Sequence, residues 1–122
     1  VLVIDDEAAV CDVMAMILED AGYTVDTATG GLEALARIKK APPSLIVLDL
    51  MMPDISGWDV FDIIRASRRT RNIPIVIISA DRDVLAKARM LGADAQISKP
   101  FQLDHLVKVV EDNLRRPAQG QR

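Results

Sequence analysis

Apolar and polar positions along the chain alternate between two periods, five times over. Residues 1–4 are continuously apolar and stop at Asp5-Asp6-Glu7, which predicts a first strand. Val10, Val13, Met14, Ile17 and Leu18 then recur at helical spacing, and Ala21-Gly22 ends that helix. A shorter alternating stretch at 23–27 predicts a second strand. Gly30-Gly31 opens a second helix carrying Leu32, Leu35 and Ile38, and Pro42-Pro43 stops it. Residues 45–48 are apolar throughout, as in a strand covered on both faces, and run directly into Asp49. After a loop at 53–57, Val60, Phe61, Ile63 and Ile64 mark a third helix ending in the basic run 65–71. The fourth strand is expected at 73–78, with Pro74 near its start, where a missing N–H is tolerable, and Ser79 at its end. Val84, Leu85, Ala88 and Leu91 give a fourth helix up to Gly92. A short fifth strand at 95–98 then leads into Lys99-Pro100. Leu103, Leu106, Val107, Val110 and Leu114 complete one clean helical stripe.

Strict strand–helix alternation implies an α/β fold: a five-stranded parallel sheet, doubly wound as (βα)5 with right-handed crossovers. Ligands of such sheets sit beyond the carboxyl ends of the strands, where the strand order reverses. In the flavodoxin-like order 2-1-3-4-5, strands one and three are neighbours at that point. The residues at the strand ends are Asp5 and Asp6, then Asp49, Ser79 and Lys99. They would converge on one cleft.

Three carboxylates and one ammonium form a set that cannot stand unaided. Two carboxylates ~5 Å apart at an effective dielectric of ~20 repel by about 3 kcal/mol. A divalent cation relieves this better than protonation at neutral pH. Oxygen ligands without His or Cys select Mg²⁺, which keeps waters and accepts phosphate oxygens. Asp49 is then a candidate nucleophile able to form an acyl phosphate. Phosphoryl transfer mainly needs positioning and charge neutralisation, for which Lys99 supplies a second positive centre. The Ser79 hydroxyl could bond a phosphoryl oxygen only after transfer, which suits a conformational trigger.

Composition narrows the setting. The 122 residues are 50% hydrophobic, enough for one domain with its own core. No apolar run approaches the ~18 residues of a membrane span, and no export signal opens the chain, so a soluble, cytoplasmic protein is expected. A single cysteine forms no internal disulfide, which fits a reducing compartment. With 15 basic against 18 acidic residues the formal charge is −3, a poor basis for direct nucleic-acid binding.

Four segments, Val-Leu-Val-Ile-Asp-Asp-Glu, Leu-Ile-Val-Leu-Asp-Leu-Met-Met-Pro-Asp-Ile-Ser-Gly, Ile-Ser-Ala and Ser-Lys-Pro-Phe, resemble the signature segments of a response-regulator receiver domain of two-component signal transduction. The resemblance runs from residue 1 to about 114 and implies a receiver at 1–116, with 117–122 as a tail or linker. It implies that Asp49 is the phosphoacceptor, Asp5 and Asp6 the metal-binding pair, and Ser79 the switch hydroxyl. Met51 would offer its backbone carbonyl to Mg²⁺. Lys99 would contact phosphate beside a cis Lys99–Pro100 peptide. The implied donor is a sensor histidine kinase or histidine phosphotransfer protein, and the implied role is a switch, not an enzyme that turns over a separate substrate.

Two positions depart from the family pattern. Gln96 stands where an aromatic usually reports phosphorylation. Ala95 and Val107-Lys108-Val109-Val110 lack the charges typical of the winged-helix transcription-factor branch, which weakens, without removing, the expectation of a homodimer on phosphorylation. The competing functions are a Mg²⁺-dependent aspartyl-phosphate phosphatase, a flavin binder of the same topology, and a non-phosphorylated binding module. The phosphatase needs a second Asp two residues after the nucleophile, where Met51 stands. The flavin site needs a phosphate loop where Asp5-Asp6-Glu7 would repel the ligand. The binding module would be expected to lack some of the five site residues, all of which are present. Taken singly, Cys11 reads as a small helical residue, His105 as a surface residue and Trp58 as support for the loop after Asp49. The arginines at 65, 68, 69 and 71 read as a solvated helix end.

Overall fold

The computed structural model describes residues 1–115. The expected tail at 117–122 lies outside the described residues. Ten elements alternate: β1 (Leu2–Ile4), α1 (Ala8–Asp20), β2 (Asp26–Ala28), α2 (Gly31–Lys40), β3 (Ile46–Asp49), α3 (Gly57–Ala66), β4 (Ile75–Ser79), α4 (Arg82–Met90), β5 (Ala95–Ser98) and α5 (Leu103–Arg115). All strand pairs are parallel, in the order β2-β1-β3-β4-β5.

The side-chain alternation of the strands divides the core in two. Leu2, Ile4, Ile46, Leu48, Ile75 and Ile77 face α2, α3 and α4, meeting Ala34, Ile38, Val60, Phe61, Ile64 and Ala88. Val3, Val47, Val76, Ile78 and Ile97 face α1 and α5, meeting Cys11, Met14, Leu18, Leu106 and Val110. Burying one such large aliphatic side chain stabilises by about 1.5–3 kcal/mol. The continuous apolar run before Asp49 is thus explained by helices on both faces.

The boundaries differ from the periodic reading at several elements: the fourth strand forms at Ile75–Ser79, which leaves Ile73 and Pro74 before it and takes in Ser79. The second strand forms at Asp26–Ala28, later than expected: its register with β1 starts at Asp26 opposite Leu2, and before it Thr24 accepts from the Val1 amino group at 3.0 Å. Tyr23 and Val25 precede it and pack against the α1–α5 side of the core. The third helix starts at Gly57, one turn before its first buried large side chain, because the Ser56 hydroxyl accepts from the Asp59 amide at 3.2 Å. Both α1 and α4 close through a glycine at positive φ, Gly22 at 101° and Gly92 at 100°. No described helix is long and apolar enough to cross a membrane.

Cys11 is buried in the α1 face, with its thiol donating to the carbonyls of Asp5 at 3.3 Å and Ala28 at 3.6 Å. Burial pushes its pKa from 9.0 to about 11, and the neighbouring charge of Asp5 adds to the effect. The folded value is raised, so the stability from the neutral thiol is complete below pH 9 and lost as pH rises toward 11. Iodoacetamide at pH 8 should therefore leave native Cys11 unmodified and label it in urea; rapid native labelling would contradict this burial.

Candidate functional site

The parallel register brings the ends of β1 and β3 together. Ile4 pairs with Leu48, which leaves Asp5 and Asp49 as the next residues beyond. Asp5 is fully buried and Asp49 nearly so, whereas Asp6 is exposed. One carboxylate oxygen from each of Asp5, Asp6 and Asp49 lies within 4.8 Å of the others. At that spacing two carboxylates repel by about 3 kcal/mol at an effective dielectric of ~20.

Lys99 reaches this cluster from the end of β5. Its Nζ lies 3.2 Å from Asp5 Oδ2 and 3.0 Å from Asp49 Oδ2. Its own amide donates to the Ser79 carbonyl at 2.9 Å, and the Lys99–Pro100 peptide is cis. Asp49 Oδ1 accepts from the Met51 amide at 2.9 Å. Asp5 Oδ1 accepts from the Glu7 amide at 3.0 Å, which ties the first acidic residue to the start of α1.

One ammonium does not balance this cluster. Burial pushes the Asp49 carboxyl above its ordinary range, and Asp5 adds to the push; the Met51 amide and Lys99 oppose it without cancelling it. Burial also works against the Lys99 charge, but the bond and charge of Asp49, followed by those of Asp5, outweigh it and raise the ammonium. The chemistry of the donor set fits a hard divalent cation: all oxygens, one edge exposed through Asp6, and an excess of negative charge.

Ser79 ends β4 on the neighbouring strand, buried, with its Oγ accepting from the Asp81 amide at 3.1 Å. Asp81 in turn caps α4 through the amides of Asp83 at 2.9 Å and Val84 at 3.3 Å. The Ser79 hydroxyl is thus bonded to the residue that caps a helix. Sequence reading passed over Asp81, although an Asp just before a helical run is a standard capping signal. Gln96 is half-buried on β5, and its side-chain amide donates to the Ala93 carbonyl at 3.5 Å.

A groove of about 560 Å³ lies beside Lys99, with Val10, Val13 and Met14 of α1 on one side and Pro100 and Phe101 on the other. Periodicity could not reveal it, because its walls lie some ninety residues apart in the chain. The basic run at 65–71 is a solvated helix end only in part: Arg68 and Arg71 are exposed, whereas Arg65 and Arg69 bond to other elements. Arg65 pairs with Asp94 at 2.8 Å, donates to the carbonyls of Ile73 and Arg71, and lies over Phe61. Arg69 donates to the Lys39 carbonyl at 2.7 Å. These guanidiniums tie elements together. Trp58 packs against the core beside the loop after Asp49, with Lys87 of α4 5.0 Å from its ring.

The family model for the response regulator receiver domain matches residues 1–111. The chain belongs to that family. It is 36% identical over 118 residues to the DNA-binding dual master transcriptional regulator RpaA of Synechocystis sp., covering 95% of this chain and 49% of that protein. It is 35% identical to the DNA-binding response regulator MtrA of Mycolicibacterium paratuberculosis, covering 95% and 51%. The chain thus spans about half the length of these curated relatives. Among solved structures, the receiver domain of NtrX from Brucella abortus superposes with a TM-score of 0.88 at 33% identity, covering 95% of this chain and 98% of that one. The chemotaxis protein CheY4 of Vibrio cholerae gives 0.84 at 29% identity, covering 92% and 95%. The five-stranded parallel architecture is therefore that of a receiver.

The crowding at Asp49 has a measurable cost in the metal-free protein. Its folded pKa is raised, so the stability tied to its neutral form is present at low pH and lost as pH climbs through the raised value. Above that raised value the full penalty applies. In chelator, Asp49→Asn should raise stability in urea on the order of 1 kcal/mol at pH 7, with the gain vanishing near pH 3. A variant less stable than the parent at pH 7 would show that Lys99 needs the Asp49 charge more than the cluster needs relief.

Proposed function

We propose that this domain is a phosphorylation-dependent switch in which Asp49 accepts a phosphoryl group from a phosphohistidine of a sensor kinase or phosphotransfer protein. The observation that carries the reading is the bridge of Lys99 between Asp5 and Asp49, with Ser79 on the adjacent strand end. In the transfer, a carboxylate oxygen of Asp49 forms a bond to phosphorus as the phosphorus–nitrogen bond to the donor imidazole breaks. The departing nitrogen keeps the electron pair. Asp5, Asp6, the other Asp49 oxygen and the Met51 carbonyl would hold Mg²⁺, which supplies charge neutralisation to the incoming phosphoryl oxygens.

Lys99 has a second task. It now occupies Asp49 Oδ2, so accepting a phosphoryl group requires it to transfer its bonds from carboxylate to phosphoryl oxygen. The Ser79 hydroxyl, which accepts from Asp81, has its own proton to donate to another phosphoryl oxygen. The Ser79 shift reaches the start of α4 through Asp81. The groove between α1 and Phe101 adjoins Lys99 and suits the apolar face of a donor helix.

The switch loses its phosphate by slow hydrolysis in place and turns over no separate metabolite. It works in the cytoplasm and can pair with a second copy when phosphorylated. The negative net charge and the internal use of Arg65 and Arg69 support a reading in which these residues do not bind nucleic acid, whatever a longer chain does.

With Mg²⁺ and a small-molecule phosphodonor, intact mass should show one phosphate added to the parent and none to Asp49→Asn. Phosphate retained on the Asn variant would overturn the assignment of Asp49. Lys99→Ala should still bind beryllofluoride but fail to show the parent's conformational change; an unaltered switch would remove Lys99 from its phosphate-contact role. Val13→Glu should slow transfer from a phosphohistidine donor roughly tenfold, with the small-molecule reaction unchanged. Equal loss in both reactions would mean that the groove does not receive the donor.

A further inference from the structure

The helix α2 begins at a glycine pair that offers no side chain to its free amides. Gly30 stands at its cap position without a side-chain bond, and Glu33 reaches back only to the Thr29 amide, at 2.8 Å. The missing partner comes from far along the chain. Asp54, in the loop between β3 and α3, accepts from the Gly31 amide through Oδ1 and from the Leu32 amide through Oδ2, each at 3.1 Å. The fit has no slack. A Cβ on Gly30 would lie 2.9 Å from Asp54 Oδ2, and one on Gly31 would overlap the Ile55 side chain.

The same loop is closed at its base. The Gly57 amide donates to the Leu50 carbonyl at 3.2 Å, and a Cβ on Gly57 would lie 2.7 Å from the Asp49 carbonyl oxygen and overlap Leu50. At its start, Asp49 Oδ1 holds the Met51 amide. Residues 50–56 are therefore pinned at both ends of their span, and Asp54 alone ties the middle to another element by side-chain bonds among the described residues. Met51, whose carbonyl is the proposed metal ligand, sits on this span with its side chain largely exposed. Leu50 is buried, and Met52 and Ile55 pack against the core, so packing on either side adds to these bonds in fixing where its backbone lies.

We infer that Asp54 is a positioning residue for the metal site: by holding the Gly31 and Leu32 amides it braces the 50–56 loop against α2 and presents the Met51 carbonyl. The inference rests on the proposed Mg²⁺ site. The amides of Leu32, Ile55 and Gly31 hold the Asp54 carboxyl below its ordinary value of 3.8, so the chelating form persists through the neutral range. The positive end of the α2 dipole favours the same charge. The alternative is that Asp54 only stabilises α2, and Glu33 supplies the control. It bonds the same helix end without touching the loop.

Mg²⁺ affinity by titration calorimetry and urea stability would be measured together on the whole domain. Asp54→Ala should weaken Mg²⁺ binding roughly tenfold. Glu33→Ala should lower stability yet leave the affinity within about twofold of the parent. Asp54→Asn keeps an acceptor oxygen and should recover most of the affinity. Gly30→Ala displaces the Asp54 carboxylate with Asp54 intact, and it should weaken Mg²⁺ even if Asp54→Ala does not fold. Unchanged affinity in both Asp54→Ala and Gly30→Ala, or an equal loss in Glu33→Ala, would overturn the positioning role and leave the metal site standing. A parent that binds no Mg²⁺ would overturn the metal site itself, and this inference with it.

Discussion

The molecule is organised around one unbalanced set of charges, the Asp5 and Asp49 carboxylates sharing the ammonium of Lys99. Neither strand could carry its carboxylate into the interior alone, since an isolated buried charge is strongly disfavoured. The parallel sheet makes the pair possible by ending β1 and β3 side by side, and β5 supplies the cation from the far side of β4. The balance remains incomplete, which is why burial and Asp5 together keep the Asp49 carboxyl raised even beside Lys99. A site in this condition has a standing demand for positive charge at its open edge. The exposed position of Asp6 leaves that edge accessible.

Much of this was legible because the decisive pattern is local. Residues 1–5 and 45–49 both run apolar into an aspartate, and an apolar run covered on both faces is what a central parallel strand requires. Alternation implies a doubly wound parallel sheet, and in the flavodoxin-like order of such sheets Asp5, Asp49, Ser79 and Lys99 converge. Periodicity failed where burial depends on what lies opposite. Leu32 and Ile63 sit at helical spacing with their core neighbours, yet they are 64% and 47% exposed. Tyr23 and Val25 alternate like a strand, but the register with β1 starts only at Asp26. The arginine contacts were illegible for the same reason. Arg65 finds Asp94 across 29 positions, and no spacing rule links them.

Arg65 and Lys99 show the two uses of a cation in this fold. At the amino-terminal edge of the sheet, Arg65 meets the Asp94 carboxylate and several carbonyls, and Asp94 also accepts from the Ile75 amide at 2.8 Å. That edge is closed in charge and fixed in position. At the carboxyl edge, Lys99 divides itself between two carboxylates and satisfies neither fully.

The identity of Gln96 bears on where such movement can go. An amide that reaches only the Ala93 carbonyl at 3.5 Å has no large ring to swing between buried and exposed positions, so the β5 surface lacks that means of signalling a change at Ser79. The hydrogen bonds of Ser79 lead elsewhere. Ser79 Oγ holds the Asp81 amide, and Asp81 holds the first amides of α4. Further along α4, Lys87 lies over Trp58, which stands next to the glycine closing the loop after Asp49. α4 is therefore held by contacts that trace back to the strand-end site from two directions: its start through Ser79 and Asp81, its middle through Trp58. A change in the hydrogen bonding of Ser79 acts on a helix cap worth about 1 kcal/mol. A route of this kind from Ser79 to α4 requires no aromatic intermediary.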